Sequence, residues 1–380
     1  MVAHVRGVVV RVAGVVAVVL ALSLAAGTSG PQDDPADVDA LPAGKWVTVS
    51  PPLGYVPRPI RKYLTDTEIS VISRVQRMID GLESAPSSPV ENGGVAWHVE
   101  PGVEFSSTFG LQRDVLLALD RALESSVEVT RDWRVHIVVA RSRAYVKEAL
   151  ERIGCVPNLS RTNGVVLMGA AVCDRRVIVS NLTGFLWVVR ADQTITESLE
   201  QRKEPPLSRI PYRIVMRNSA ALAHEWTHIW RAAGLGGLVR SDEPAWFSEG
   251  FAEFWSGVAK VLAFPGRIPY RSHHVVRLRD FVNWPAMCPG PLRAYRTVSS
   301  LSNGCEYHVG LAAVEYLYAK YHSLEKTLQA FSRAGEFMTF EDGFEGTFGI
   351  SLSRFEVEAD AYIRNLRRAD AAGRVVRSRN

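Results

Sequence analysis

The segment His224-Glu225-Trp226-Thr227-His228 lies inside a largely apolar run from Ile214 to Ala233 that ends at Gly234. Such a run reads as one helix closed by glycine. On a helix the two histidines sit one turn apart on one face. Both imidazoles can then reach a single Zn²⁺, with Glu225 projecting beside them toward a water on that ion. A bare HExxH arises by accident roughly once in a hundred chains of this length, so its setting carries the weight. Two imidazoles and a carboxylate inside an apolar helix are costly to bury unless something binds them. The competing reading is a solvated stripe, with Glu225 in a surface ion pair.

Catalytic zinc usually takes three protein ligands and leaves a position open for water. The metzincin pattern is excluded, because Arg231 and Gly234 stand where it needs glycine and histidine. The other common source is a glutamate on a following helix. In the segment Pro244 to Trp255, Phe247, Phe251 and Phe254 recur at helical spacing and would anchor such a helix in the core, carrying Glu249 on a rigid element.

These residues resemble the gluzincin zinc metallopeptidases, and within them the bacterial peptidase MA-like family. The resemblance rests on HEWTH, on the Pro-x-Trp-aromatic-x-Glu-Gly-x-Ala-Glu pattern from Pro244 to Glu253, and on Tyr307 with the apolar helix after it. It covers roughly residues 131 to 367. It implies an α+β, two-lobed, thermolysin-like catalytic domain: a small mixed sheet plus the active-site helix, followed by a helical lower lobe. It also implies one Zn²⁺ held by His224, His228 and Glu249, with Glu225 as general base. Glu253, four residues after Glu249, matches the acidic residue that in thermolysin-like relatives holds a ligand histidine through its second ring nitrogen. An ordinary surface charge is the plainer reading of Glu253. Tyr307 to Gly310 is similar to the Tyr-x-x-Gly setting of the transition-state tyrosine in aminopeptidase N-like gluzincins. His308 is the competing oxyanion donor, and both residues could instead merely start a helix.

The chemistry implied is hydrolysis of a peptide or protein substrate. A bound zinc supplies a nucleophilic water near neutrality and polarises the scissile carbonyl, while Glu225 takes the proton and later passes it to the leaving amine. The rival readings are a catalytically silent binding or scaffold protein of the same fold, and a zinc hydrolase acting on a cell-wall amide. Intact Glu225 argues against a scaffold, which has no need of a base.

With 380 residues and 47% hydrophobic content, the chain can bury a sizeable core and build two subdomains. The formal charge of +4 gives no footprint for nucleic acid. His4, Arg6 and Arg11 precede an apolar run, Val12 to Ala26, so residues 1–30 read as a signal peptide or an uncleaved N-terminal anchor. The expected location is secreted or cell-surface. Four cysteines allow three pairings, and proximity favours Cys155 with Cys173 and Cys288 with Cys305. Disulfides suit an exported chain, and the second would pin the segment just before Tyr307.

Residues 31–60 read as a linker and 61–130 as a helical N-terminal part, with helices from Thr65 or Asp66 to about Leu82 and from Leu111 to Ser125. Strands are expected at Val135 to Ala140, Val165 to Met168 and Arg176 to Ser180, with a helix from Arg143 to Ile153. In gluzincins a substrate lies along an edge strand of this sheet by strand addition. His136 reads as structural. Ala191 to Pro211 reads as an insertion loop, Leu262 to Asn303 as mostly irregular, and His273-His274 as a surface pair. Helices are expected at Leu311 to Tyr321, Leu324 to Ala334, Phe340 to Phe348 and Leu352 to Leu366, before a disordered basic tail, residues 368–380.

Overall fold

The structure, a computed structural model, describes residues 44–49, 60–83, 95–103, 107–126, 135–155, 165–166, 170–172, 177–181, 187–189, 195–197, 222–231, 242–265, 268–280, 288–297, 304–321 and 339–378. The expected signal segment and the Leu324 to Ala334 helix lie outside these residues. No described helix is long and apolar enough to cross a membrane.

Strand β1 (Gly44–Val49) pairs antiparallel with β2 (Ile60–Thr65), setting Trp46 opposite Tyr63. Residues 44–49, inside the expected linker, thus form a strand, and Ile60–Thr65 and Val95–Val99 add strands to the expected helical part. The prolines and glycines of that stretch fall around Lys45 to Val49, whose aromatic and β-branched side chains favour a strand. Helix α1 (Asp66–Glu83) begins with a reciprocal cap. The Glu68 N–H donates to Thr65 Oγ1 at 3.2 Å, and the Thr65 N–H donates to Glu68 Oε2 at 3.4 Å.

A mixed four-stranded sheet follows, in the order β3-β4-β7-β6. β3 (Val95–Val99), β4 (Val135–Ala140) and β7 (Val177–Asn181) run parallel, and β6 (Ala170–Val172) closes one edge antiparallel to β7. β4 is buried on both faces, with Ile137 and Val139 in the main core and Val138 and Ala140 against Val146 and Leu150 of α3 (Arg143–Arg152). Helix α2 (Ser107–Ser126) covers the main core through Val115, Leu116, Leu119 and Leu123. On the other face, His98 and His136 share a hydrogen bond of 2.9 Å between Nε2 and Nδ1. A separate three-stranded sheet joins β5 (Val165–Val166), β8 (Trp187–Val189) and β9 (Ile195–Glu197). β9 therefore places a strand inside the expected insertion loop.

The remaining elements are helical: α4 (residues 222–231), α5 (Ala245–Ala263), α6 (Tyr270–Asp280), a 3₁₀ turn at Leu292–Tyr295, α7 (Cys305–Tyr321), α8 (Phe340–Phe348) and α9 (Leu352–Ser378). α6 and the 3₁₀ turn correct the irregular reading of Leu262 to Asn303. α9 continues through most of the tail expected to be disordered, in keeping with the helix-favouring alanines and arginines there.

Helices α5 and α7 meet backbone to backbone. A Cβ added at Gly250 would lie 2.3 Å from the Gly310 carbonyl carbon, and one added at Gly310 would lie 2.2 Å from the Trp246 oxygen. Glycine is required at both positions because no side chain fits. The start of α7 is further held by the Cys288–Cys305 disulfide. Arg367 of α9 donates to the carbonyls of Cys288 and Gly290.

The pair His273-His274 is buried, which corrects its reading as surface. His274 Nδ1 meets Glu315 Oε1 at 2.7 Å and its Nε2 meets Glu68 Oε1 at 2.8 Å. Lys62 also pairs with Glu68 at 3.0 Å, and the hydroxyls of Tyr270 and Tyr362 donate to Glu315. The carboxylates come from helices far away in sequence, so nothing local to His274 announces them. Burial alone would lower the imidazole pKa. Glu315 and Glu68 outweigh it and raise His274 to about 9. A folded-state value above the unfolded one stabilises fully below the unfolded pKa, near 6.5, and the benefit fades as pH climbs through 9. Unfolding free energy should therefore fall between those limits, by on the order of 3 kcal/mol from this group. Urea titrations across the range should show a shallower fall in His274→Gln. Parallel slopes in the two proteins would contradict the assignment.

Candidate metal centre

Helix α4 presents His224 and His228 on one face, and its other side is locked into the core by Leu222, Ala223, Trp226, Ile229 and Trp230. Glu249 arrives from α5, whose fully buried Trp246, Phe247, Phe251 and Phe254 fix that helix. His224 Nε2 lies 3.1 Å from His228 Nε2 and 3.1 Å from Glu249 Oε2, and His228 Nε2 lies 3.2 Å from the same oxygen. The three donor atoms thus form a nearly equilateral triangle.

Zinc bonds of 2.0–2.2 Å at tetrahedral angles set ligand atoms about 3.3 Å apart, so the triangle has the dimensions of one tetrahedral face. Two imidazoles and one carboxylate also suit a borderline metal by chemistry. Among the described residues, this is the group of histidine and carboxylate side chains arranged to hold a metal ion. Three lone pairs converging in a buried place call for a positive charge among them. Burial would lower the His224 pKa, but Glu249, Glu253 and Glu225 raise it to about 10. His228 is lowered to about 4 by burial, with Glu249 opposing and the charges of His224 and Arg231 adding to the drop. Burial also works against the Glu249 carboxylate, yet the two imidazoles hold it well below the usual carboxylate range.

Glu253 Oε1 lies 3.4 Å from His224 Nδ1, on the ring edge away from the triangle. Glu225 is partly buried on α4, and its charge reaches both His224 and Tyr307. The Tyr307 ring stacks on His224, with centroids 5.6 Å apart and planes at 28°. Burial, then the carboxylates of Glu249, Glu225, Glu306 and Glu253, push its hydroxyl pKa far up, so it remains a hydrogen donor. His308 follows on the same helix, turned about 100° from Tyr307. The α5–α7 glycine crossing is what brings Glu249 and Tyr307 to the same place. Cys305, two residues before Tyr307, is bridged to Cys288. Cys155 is also disulfide-bonded, and Cys173 lies outside the described residues.

Two supports went unread in the sequence. Arg231, at the end of α4, pairs with Glu243 just ahead of α5, and both side chains are buried. The Trp226 Nε1–H donates to Asp120 Oδ1 on α2 at 3.1 Å. Each carried a local signal: Arg231 falls in an apolar helix, and Asp120 shares the buried stripe of Leu116, Leu119 and Leu123.

No protein-family model, curated protein or solved structure matches this chain.

Proposed function

We propose that this protein is an exported, zinc-dependent peptidase of gluzincin type. The reading is carried by the donor triangle of His224, His228 and Glu249, with edges of 3.1–3.2 Å. Glu225 beside it and the Tyr307 ring against it add the two proton-handling groups that amide hydrolysis needs. When bound, the ion supplies a Lewis acid and a water acidic enough to react near neutrality. The Glu225 carboxylate accepts the proton from the attacking water and hands it to the departing amine. The Tyr307 hydroxyl donates to the oxyanion that develops on the scissile carbonyl. Glu253 orients His224 through Nδ1. The buried Cys288–Cys305 disulfide fits an oxidising compartment, consistent with the apolar segment near the N-terminus.

Equilibrium dialysis of the purified chain should give close to one zinc per molecule, and a His228→Ala, Glu249→Ala double variant should lose it. Retention of full affinity by that variant would refute the ligand set. Chelation should abolish cleavage of a diverse peptide pool, and re-addition of zinc should restore it. A zinc-loaded protein that cuts no member of the pool would favour a binding protein instead.

A further inference from the structure

We infer that Asp120 is a positioning residue for the metal centre, acting through the indole of Trp226. The inference rests on the reading that His224, His228 and Glu249 hold a metal. Trp226 is the central residue of HEWTH and is fully buried. It lies two residues, about 200°, round the helix from His224, so it faces away from the triangle and into the core. There its Nε1–H meets Asp120 Oδ1 at 3.1 Å, across 106 residues of sequence.

A carboxylate at this position is costly. Asp120 is 3% exposed beside Leu116, Leu119 and Leu123, where a leucine would pack without the desolvation cost. A buried hydrogen bond that has to offset the desolvation of its acceptor contributes little to net stability. What the contact supplies is direction. Apolar packing seats the helix against the core, and a directional hydrogen bond at one side chain narrows its rotation further than packing alone does. A turn of about 20° would move imidazole nitrogens roughly 6 Å from the axis by about 2 Å, several times the tolerance of a preorganised site. Asp120 sets the rotation of α4, and α4 carries two corners of the triangle. Helix α2 is accordingly part of the metal-binding unit rather than a separate N-terminal module.

The test compares Asp120→Leu, Asp120→Asn and Trp226→Phe in the full chain. Zinc affinity is read by competition with a chromogenic chelator, geometry from the ligand-field absorption of bound Co²⁺, and stability separately by thermal unfolding. Asp120→Leu should weaken zinc binding about 10–100-fold and alter the Co²⁺ bands, even where its unfolding temperature holds or rises. Asp120→Asn keeps an acceptor oxygen and should restore both readouts. Trp226→Phe should repeat the loss, and the Asp120→Leu, Trp226→Phe double variant should be no worse than either single one. If Asp120→Leu does not fold, Trp226→Phe carries the test. Unchanged affinity and spectrum in folded Asp120→Leu or Trp226→Phe would overturn the inference. A wild-type chain that takes up neither ion would instead remove the metal-centre reading beneath it.

Discussion

Replacing Glu225 by glutamine is expected to reduce peptide turnover on the order of 10²–10⁴-fold while leaving zinc stoichiometry unchanged. The amide is nearly the same size and cannot take up a proton at neutral pH, so the substitution removes the base and little else. Glu225 is not a corner of the donor triangle, which is made by His224, His228 and Glu249. Its loss should therefore separate chemistry from metal binding. The measurement is initial rate on the best substrate from a peptide pool, with zinc content measured on the same samples. Undiminished turnover would remove Glu225 from the mechanism. Loss of zinc together with activity would mean that it holds the ion directly or supports those that do.

The second large effect concerns a residue with no chemistry. Alanine is normally the better helix former by about 1 kcal/mol, so Gly310→Ala in the middle of α7 would be stabilising if propensity alone decided. The opposite is expected, by about 3 kcal/mol or more, because the new methyl would meet the Trp246 carbonyl oxygen at 2.2 Å. Backbone cannot change rotamer, so α5 and α7 must separate. Glu249 and Tyr307 would move apart with them, and zinc affinity should fall alongside stability. Urea unfolding monitored by tryptophan fluorescence, paired with zinc competition, reads both. An alanine variant as stable as the parent would show that the helices do not cross at this contact.

The parts of the molecule readable from the sequence were those governed by local rules. HEWTH inside an apolar run and the phenylalanine spacing after Pro244 gave two helices, which the structure places side by side with His224, His228 and Glu249 together. Thr65 and Asp66 marked the start of α1 because capping is a matter of three or four residues. Features that depend on distant partners were misread or missed. His273 and His274 looked like surface because they read as an isolated pair in a loop, inside a stretch expected to be mostly irregular. The partners that make burial of His274 tolerable, Glu68 and Glu315, lie 206 and 41 residues away. The β1–β2 pair was hidden by the prolines between its strands, which suit a connecting loop as well as a linker. Asp120 could have been noticed as a charge on an apolar stripe, but the reason for it lies on another helix.

The glycine crossing of α5 and α7 also divides the molecule by what can change. Where side chains separate two helices, successive substitutions can widen or shear the interface by fractions of an ångström. At Gly250 and Gly310 there is nothing to trim. The spacing between Glu249 and Tyr307 is thus a property of peptide geometry, held constant under most substitutions elsewhere. Variation that tunes the site must then arise in the segments around it, leaving Glu249 and Tyr307 on a joint that sequence change can break but not adjust.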